Sequence, residues 1–170
     1  SVKNSPHLEL FKKEGVEVLL MHSRIDEWMM GHVQEFDGKK FQSVAKGKLD
    51  LGQDDKQDNE PSEADKSFLE KIQNQLKDHV SEVTASTRLV DSASCLVMDE
   101  HAMAIHMQKL MEQAGQAMPG QLPALEINLD HPLVQHIEHI DNEEHFKQWS
   151  ELLYEQALLA EGGQLKNPAD

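Results

Sequence analysis

The chain has 170 residues, 38% of them hydrophobic and 28% charged, and 31 acidic against 16 basic side chains give a formal net charge of −15. That length and apolar content suit one ordinary or two small water-soluble domains, and the negative field opposes binding to nucleic acid or to an anionic membrane surface. The apolar runs are far shorter than a bilayer span, and the single cysteine, Cys95, has no internal disulfide partner, which fits a reducing, cytoplasmic setting.

Ser5-Pro6 reads as a helix start, with a capping hydroxyl followed by a residue that needs no N–H donor, and Gly15 supplies the stop. Val16 to Met21 is almost continuously apolar, the pattern of a strand covered on both faces. Ser23 with Asp26 three residues on is a capping-box signal for a helix from Arg24 to Val33, whose Ile25, Met29 and Val33 form the expected core stripe. Asp37-Gly38 between Phe36 and Phe41 is a turn signal, with a second short strand expected over Phe41 to Ala45. A strand buried on both faces wants parallel neighbours that this stretch does not supply, so residues 1–49 are expected to be an incomplete α/β domain. Residues 50–65 are acidic, with almost nothing apolar, and read as a solvated linker.

Residues 66–170 predict an α+β domain with a small antiparallel three-stranded sheet. Phe68, Leu69, Ile72, Leu76 and Val80 form a helical stripe. Strands are expected over Val83 to Leu89 and Cys95 to Met98, pairing back on each other, with a third over Leu122 to Leu129. Between the last two lies a predicted helix from Asp99 to Ala114, on which Met103, Met107 and Met111 recur every four residues beside Leu110. Asp130 with Pro132 predicts a helix running to Ile140, and Asp141 with Glu144 predicts the last helix, ending at Gly162-Gly163.

The ten histidines raise the alternative of a histidine-based metalloprotein or hydrolase. His101 and His106 are five apart, on different faces of a helix, whereas His136 and His139 could share a ligand. There is no cysteine pair and no HExxH, which would set a base beside two zinc ligands, so no metal site is expected. Cys95 sits in an apolar strand, where a thiol behaves as a small hydrophobe, and neither a GxSxG nor a Gly-rich phosphate loop is present, so no catalytic residue is expected. What stands out instead is apolar helix surface. The Met-rich face can accommodate varied partners, although a core role explains the same periodicity. Trp28 flanks its helix's apolar stripe as either a half-buried core residue or a contact. Phe146, Trp149, Leu152, Leu153, Leu158 and Leu159 make a stripe on the last helix too wide for one small sheet to cover, which implies bundling with another helix.

The runs Ser5-Pro-His-Leu-Glu-Leu-Phe-Lys-Lys-Glu-Gly15, Val16-Glu-Val-Leu-Leu-Met21, Arg24-Ile-Asp-Glu-Trp-Met-Met30 and Glu35-Phe-Asp-Gly-Lys-Lys-Phe41 closely resemble the end of the middle domain of bacterial heat-shock protein 90 chaperones. Trp149 to Gly162 resembles that family's carboxy-terminal dimerisation domain. The resemblance implies an ATP-driven homodimeric chaperone that binds partly folded clients. It implies client-binding roles for Glu27, Trp28, Met103, Met107, Leu110 and Met111, and dimerisation through the last helix at Phe146, Trp149, Leu152, Leu153, Leu158 and Leu159. The family's nucleotide site and catalytic arginine lie in parts that precede the matching runs. The expectation is therefore a fragment without ATPase activity or cofactor, ATP and Mg belonging to the full-length protein only. The dimer is expected to be weakened, because the family's final helix begins where this sequence stops.

Overall fold

A computed structural model describes residues 2–21, 23–46, 61–98 and 121–165. Two short 3-10 turns, Val2–Asn4 and Pro6–Leu8, lead into helix α1, Glu9–Glu14. Gly15 ends α1 in the left-handed region at φ 68, and the Val16 amide reaches back to the Phe11 carbonyl at 2.9 Å, the closing bond of a Schellman motif. His7, Leu8, Leu10 and Phe11 are buried. Helix α2, Arg24–His32, starts as its sequence predicts: the Ser23 hydroxyl accepts from the Ile25 amide, and the Asp26 carboxylate accepts from the Ser23 amide at 2.8 Å. The hairpin pairs β1, Glu35–Phe36, with β2, Lys39–Lys40, through Asp37 at φ 50 and Gly38 at φ 73. Two successive positive φ angles are what a two-residue turn matched to strand twist demands.

Three expectations for this stretch are corrected. Val16 to Met21 forms no strand: an extended run becomes one only by pairing, and no described segment pairs with it. The stripe of Ile25, Met29 and Val33 is not core but exposed, since no described element packs over it. The second strand is Lys39–Lys40, before Phe41, because the two-residue turn fixes the pairing of Glu35 with Lys40.

The larger unit begins with helix α3, Glu63–Leu76, inside the stretch read as linker. Its start is again a reciprocal capping box, Ser62 with Asp65. Strands β3, Val83–Ala85, β4, Ser94–Val97, and β5, Ala124–Ile127, form one sheet in the order β3-β5-β4. Helix α4 follows over Pro132–Glu138 and α5 over Glu143–Ala160, the latter lying across β4 and against α3. The caps are His131, whose ring accepts from the Leu133 amide, and Asn142, not the aspartates Asp130 and Asp141 expected from the sequence.

The sheet is mixed, not antiparallel as predicted. β5 runs parallel to β3, placing Val83 beside Leu125, and antiparallel to β4, placing Leu96 beside Leu125. β3 and β4 therefore do not pair as a hairpin: β5 sits between them. Eight residues connect them, and Arg88 within that connection binds the Glu126 carboxylate of β5. One core joins Ile72 and Leu76 of α3, Leu96, Leu125 and Ile127 of the sheet, Ile137 of α4 and Leu153 of α5, each essentially without solvent contact. Burying each such side chain contributes about 1.5 to 3 kcal/mol. β4 is buried along its whole length, the Pro6–Leu8 turn lying against it.

Candidate functional site

Among the described residues the largest concentration of exposed apolar side chains lies on α2 and its flanks. Trp28 and Ile25 are each 68% exposed, Leu19 75% and Phe36 74%, with Met29 and Val33 also exposed. Helical spacing explains the grouping, because Ile25, Met29 and Val33 recur every four residues and Trp28 lies one position round. Trp28 is braced along its own helix: its ring lies 4.5 Å from that of His32, whose Nδ1 bonds with the Trp28 carbonyl at 2.9 Å. A separate groove in the amino-terminal stretch is lined by Leu8, Phe11, Val16, Val18 and Leu20 together with Lys3, Asn4 and Lys12. Glu27 belongs to α2. Met103, Met107, Leu110 and Met111 lie outside the described residues, so the structure brings only part of the expected client-binding set together.

The expected dimerisation set divides by face. Leu153 has no exposed surface and Phe146 is buried, edge-on to Phe68 with ring centroids 6.2 Å apart. Trp149 and Leu158 pack on the same core, Leu152 is half-buried, and Leu159 is 52% exposed. The sheet and α3 thus cover more of the stripe than its width on the sequence implied.

The histidines are largely occupied in building the fold. His7 pairs with Glu161 at 2.8 Å, His131 caps α4, His79 stacks on Tyr154, and His136 meets the Trp149 ring edge-on. No group of three metal-ligating side chains converges among the described residues, and His101 and His106 fall outside them. Cys95 is buried in β4, and loss of solvent, reinforced by the Glu126 charge, raises its thiol far above the ordinary value, the reverse of an activated nucleophile. None of the described helices is long and apolar enough to cross a membrane.

Sequence reasoning missed a polar cluster at the junction of the amino-terminal stretch and the larger unit. The Glu9 carboxylate accepts from the backbone amides of Val90 and Asp91 at 2.7 Å and of Ser92 at 3.0 Å, and also from the Ser92 hydroxyl. Burial pushes its carboxyl upward, but these four donors outweigh that and hold it below the ordinary 4.5. Arg88, itself buried, grips Glu126 through two nitrogens at 2.9 Å and donates a third bond to the Val44 carbonyl at 2.8 Å. A glutamate in an acidic chain and a lone arginine carry no pattern at the sequence level, because their partners are 38 to 83 positions away.

A model of the family described as Hsp90 protein matches residues 1–170. The chaperone protein HtpG of Dechloromonas aromatica is 52% identical over 99% of this chain, that of Alkalilimnicola ehrlichii 51% over 99%, and that of Legionella pneumophila strain Paris 45% over 100%. The chain spans 27 to 28% of the length of these relatives.

The expectation of a piece with no ATP-binding part, no ATPase activity and no cofactor is corrected by the same match. That reading rested on the resemblance, which places the family's nucleotide site and catalytic arginine before the matching runs, and on the absence of a Gly-rich phosphate loop. The match runs unbroken over all 170 residues and does not set this chain apart from the family's nucleotide-dependent region. A missing Gly-rich loop excludes one kind of phosphate cradle and not nucleotide binding as such. With its whole length matched and half its residues identical to those of such relatives, the chain belongs to the Hsp90 protein family.

Proposed function

We propose that this chain binds non-native polypeptide through the exposed face of α2, with Trp28 as its anchor. The observation that carries the reading is the grouping of Ile25, Trp28 and Met29 on one nine-residue helix with Val33 at its C-cap, large apolar side chains left in water. Monomeric proteins seldom leave such side chains grouped unless the surface is used, and an aromatic anchor among aliphatic neighbours is how binding energy is usually concentrated. An unfolded client offers interchangeable apolar segments, which a flat surface flanked by flexible methionine can accept without a shaped pocket. Trp28→Arg tests the reading, because the ring is 68% exposed and belongs to no core cluster among the described residues. Titration of a labelled, permanently unfolded polypeptide should show roughly tenfold weaker binding with an unchanged melting temperature. Equal affinity would remove Trp28 from the site. The Met-bearing segment at Met103, Met107, Leu110 and Met111 is proposed as a second contact for the same clients.

A second reading concerns self-association. The outer edge of α5, where Leu159 is exposed and Leu152 half-buried, is proposed as the face that pairs with another copy of the chain. Leu153 and Phe146 act there from beneath, fixing the helix against its own core. Leu159→Glu should shift sedimentation equilibrium toward monomer while leaving the circular dichroism spectrum unchanged; identical sedimentation of the two proteins would rule this face out.

A further inference from the structure

The connection between β3 and β4, residues 86–93, has almost no ladder bonds, yet its polar groups are satisfied from two sides. From its own unit, the Ser86 hydroxyl donates to Glu126 at 2.9 Å while accepting from the Arg88 and Leu89 amides. Asn128 donates its side-chain amide to the Val90 and Ser92 carbonyls. From the amino-terminal stretch come the Glu9 carboxylate, on three consecutive amides and the Ser92 hydroxyl, and the Val44 carbonyl on Arg88.

Glu9 opens α1, but its carboxylate serves a loop more than eighty positions away and not its own helix. Three successive amides aimed at one oxygen form a concave, positively polarised cradle that prefers an anion. Charge-assisted bonds of this kind are roughly twice as strong as neutral ones. If the carboxylate withdraws, three donors and a hydroxyl lose their partner together, so the cradle is either filled or open with little between. The loop itself stays anchored in either state by Asn128, Ser86 and the Arg88–Glu126 pair.

We propose that residues 90–92 are an anion nest whose built-in ligand is the Glu9 carboxylate, and that filling this nest latches the amino-terminal helical stretch onto the sheet unit. Arg88 with Val44, and His7 with Glu161, guide the docking from either side, and Glu9 is the latch that can be released without disturbing the core. The proposal is independent of client binding, since it touches neither α2 nor Trp28.

Glu9→Gln keeps the side chain's length but removes the charge. Amide hydrogen exchange should then quicken roughly tenfold or more at Val90, Asp91 and Ser92, while Leu125 and Ile127 in the core stay within about twofold. Spin labels placed by Lys13→Cys on α1 and Lys147→Cys on α5, both exposed positions, report the docking directly, with Cys95 too buried to react. The distance distribution should be single and narrow in the parent and broadened in Glu9→Gln. Ser92→Ala, which removes one of the four donors, should change both readouts in the same direction by a smaller factor, and it decides the matter if Glu9→Gln does not fold. Unchanged exchange at 90–92 overturns the nest, and faster exchange with superimposable distances overturns the latch.

Discussion

Glu9 shows how one side chain acquires a role from its surroundings. The four donors around it favour its ionised form, so folding and ionisation are linked. Its carboxyl lies below 4.5 in the folded chain, because hydrogen bonding outweighs burial. The stabilisation is therefore complete above the unfolded value of 4.5 and is lost as pH falls from there through the lowered folded value. Glu9→Gln should flatten the pH dependence of the urea midpoint across that acidic window and leave its shape near neutrality unchanged. An identical acid limb in both proteins would show that Glu9 does not contribute to it. Arg88 makes the complementary point for a cation: its charge is tolerated in the interior only because Glu126 binds it through two parallel bonds, which the shorter reach of a lysine would not reproduce.

At the scale of elements, α5 has two unlike faces. Leu153 and Ala157, four residues apart, are enclosed by β4 and α3, and Ser94 of β4 donates to the Leu153 carbonyl at 2.8 Å. Leu159 faces water. Leu153→Ala should cost about 2 to 5 kcal/mol, since it leaves a cavity that a sheet and a helix cannot both close. Leu159→Ala should stay within about 0.5 kcal/mol by the same urea titration. Similar losses at the two positions would contradict the placement of the helix. α2 is the contrasting element. Its ends are set locally by the Ser23–Asp26 capping box, but its apolar side has nothing described to lie on. The same periodicity that buries α3 leaves α2 exposed, so amphipathicity fixes which side is apolar and not what covers it.

In the whole molecule, the amino-terminal stretch meets the larger unit through the Pro6–Leu8 turn packed on β4 and through polar bonds, outside the main core. The core joins α3, the three strands, α4 and α5, and takes no side chain from residues 2–46. The helix start at Ser23, the Gly15 stop, the Asp37-Gly38 turn and the order of the described elements from α3 onward were legible in the sequence, since each depends on residues within a few positions. So was membership of the chaperone family, carried by long collinear runs. Tertiary structure alone decided that β5 lies between β3 and β4, that Val16 to Met21 stays unpaired, and that Ile25, Met29 and Val33 face solvent. It alone brought Glu9 to the 90–92 amides and Arg88 to Val44. Local signals act through bonds a turn or two long, whereas strand neighbours, burial and a carboxylate's partner depend on which distant segments compete for the same surface, and that competition is settled only when the chain packs.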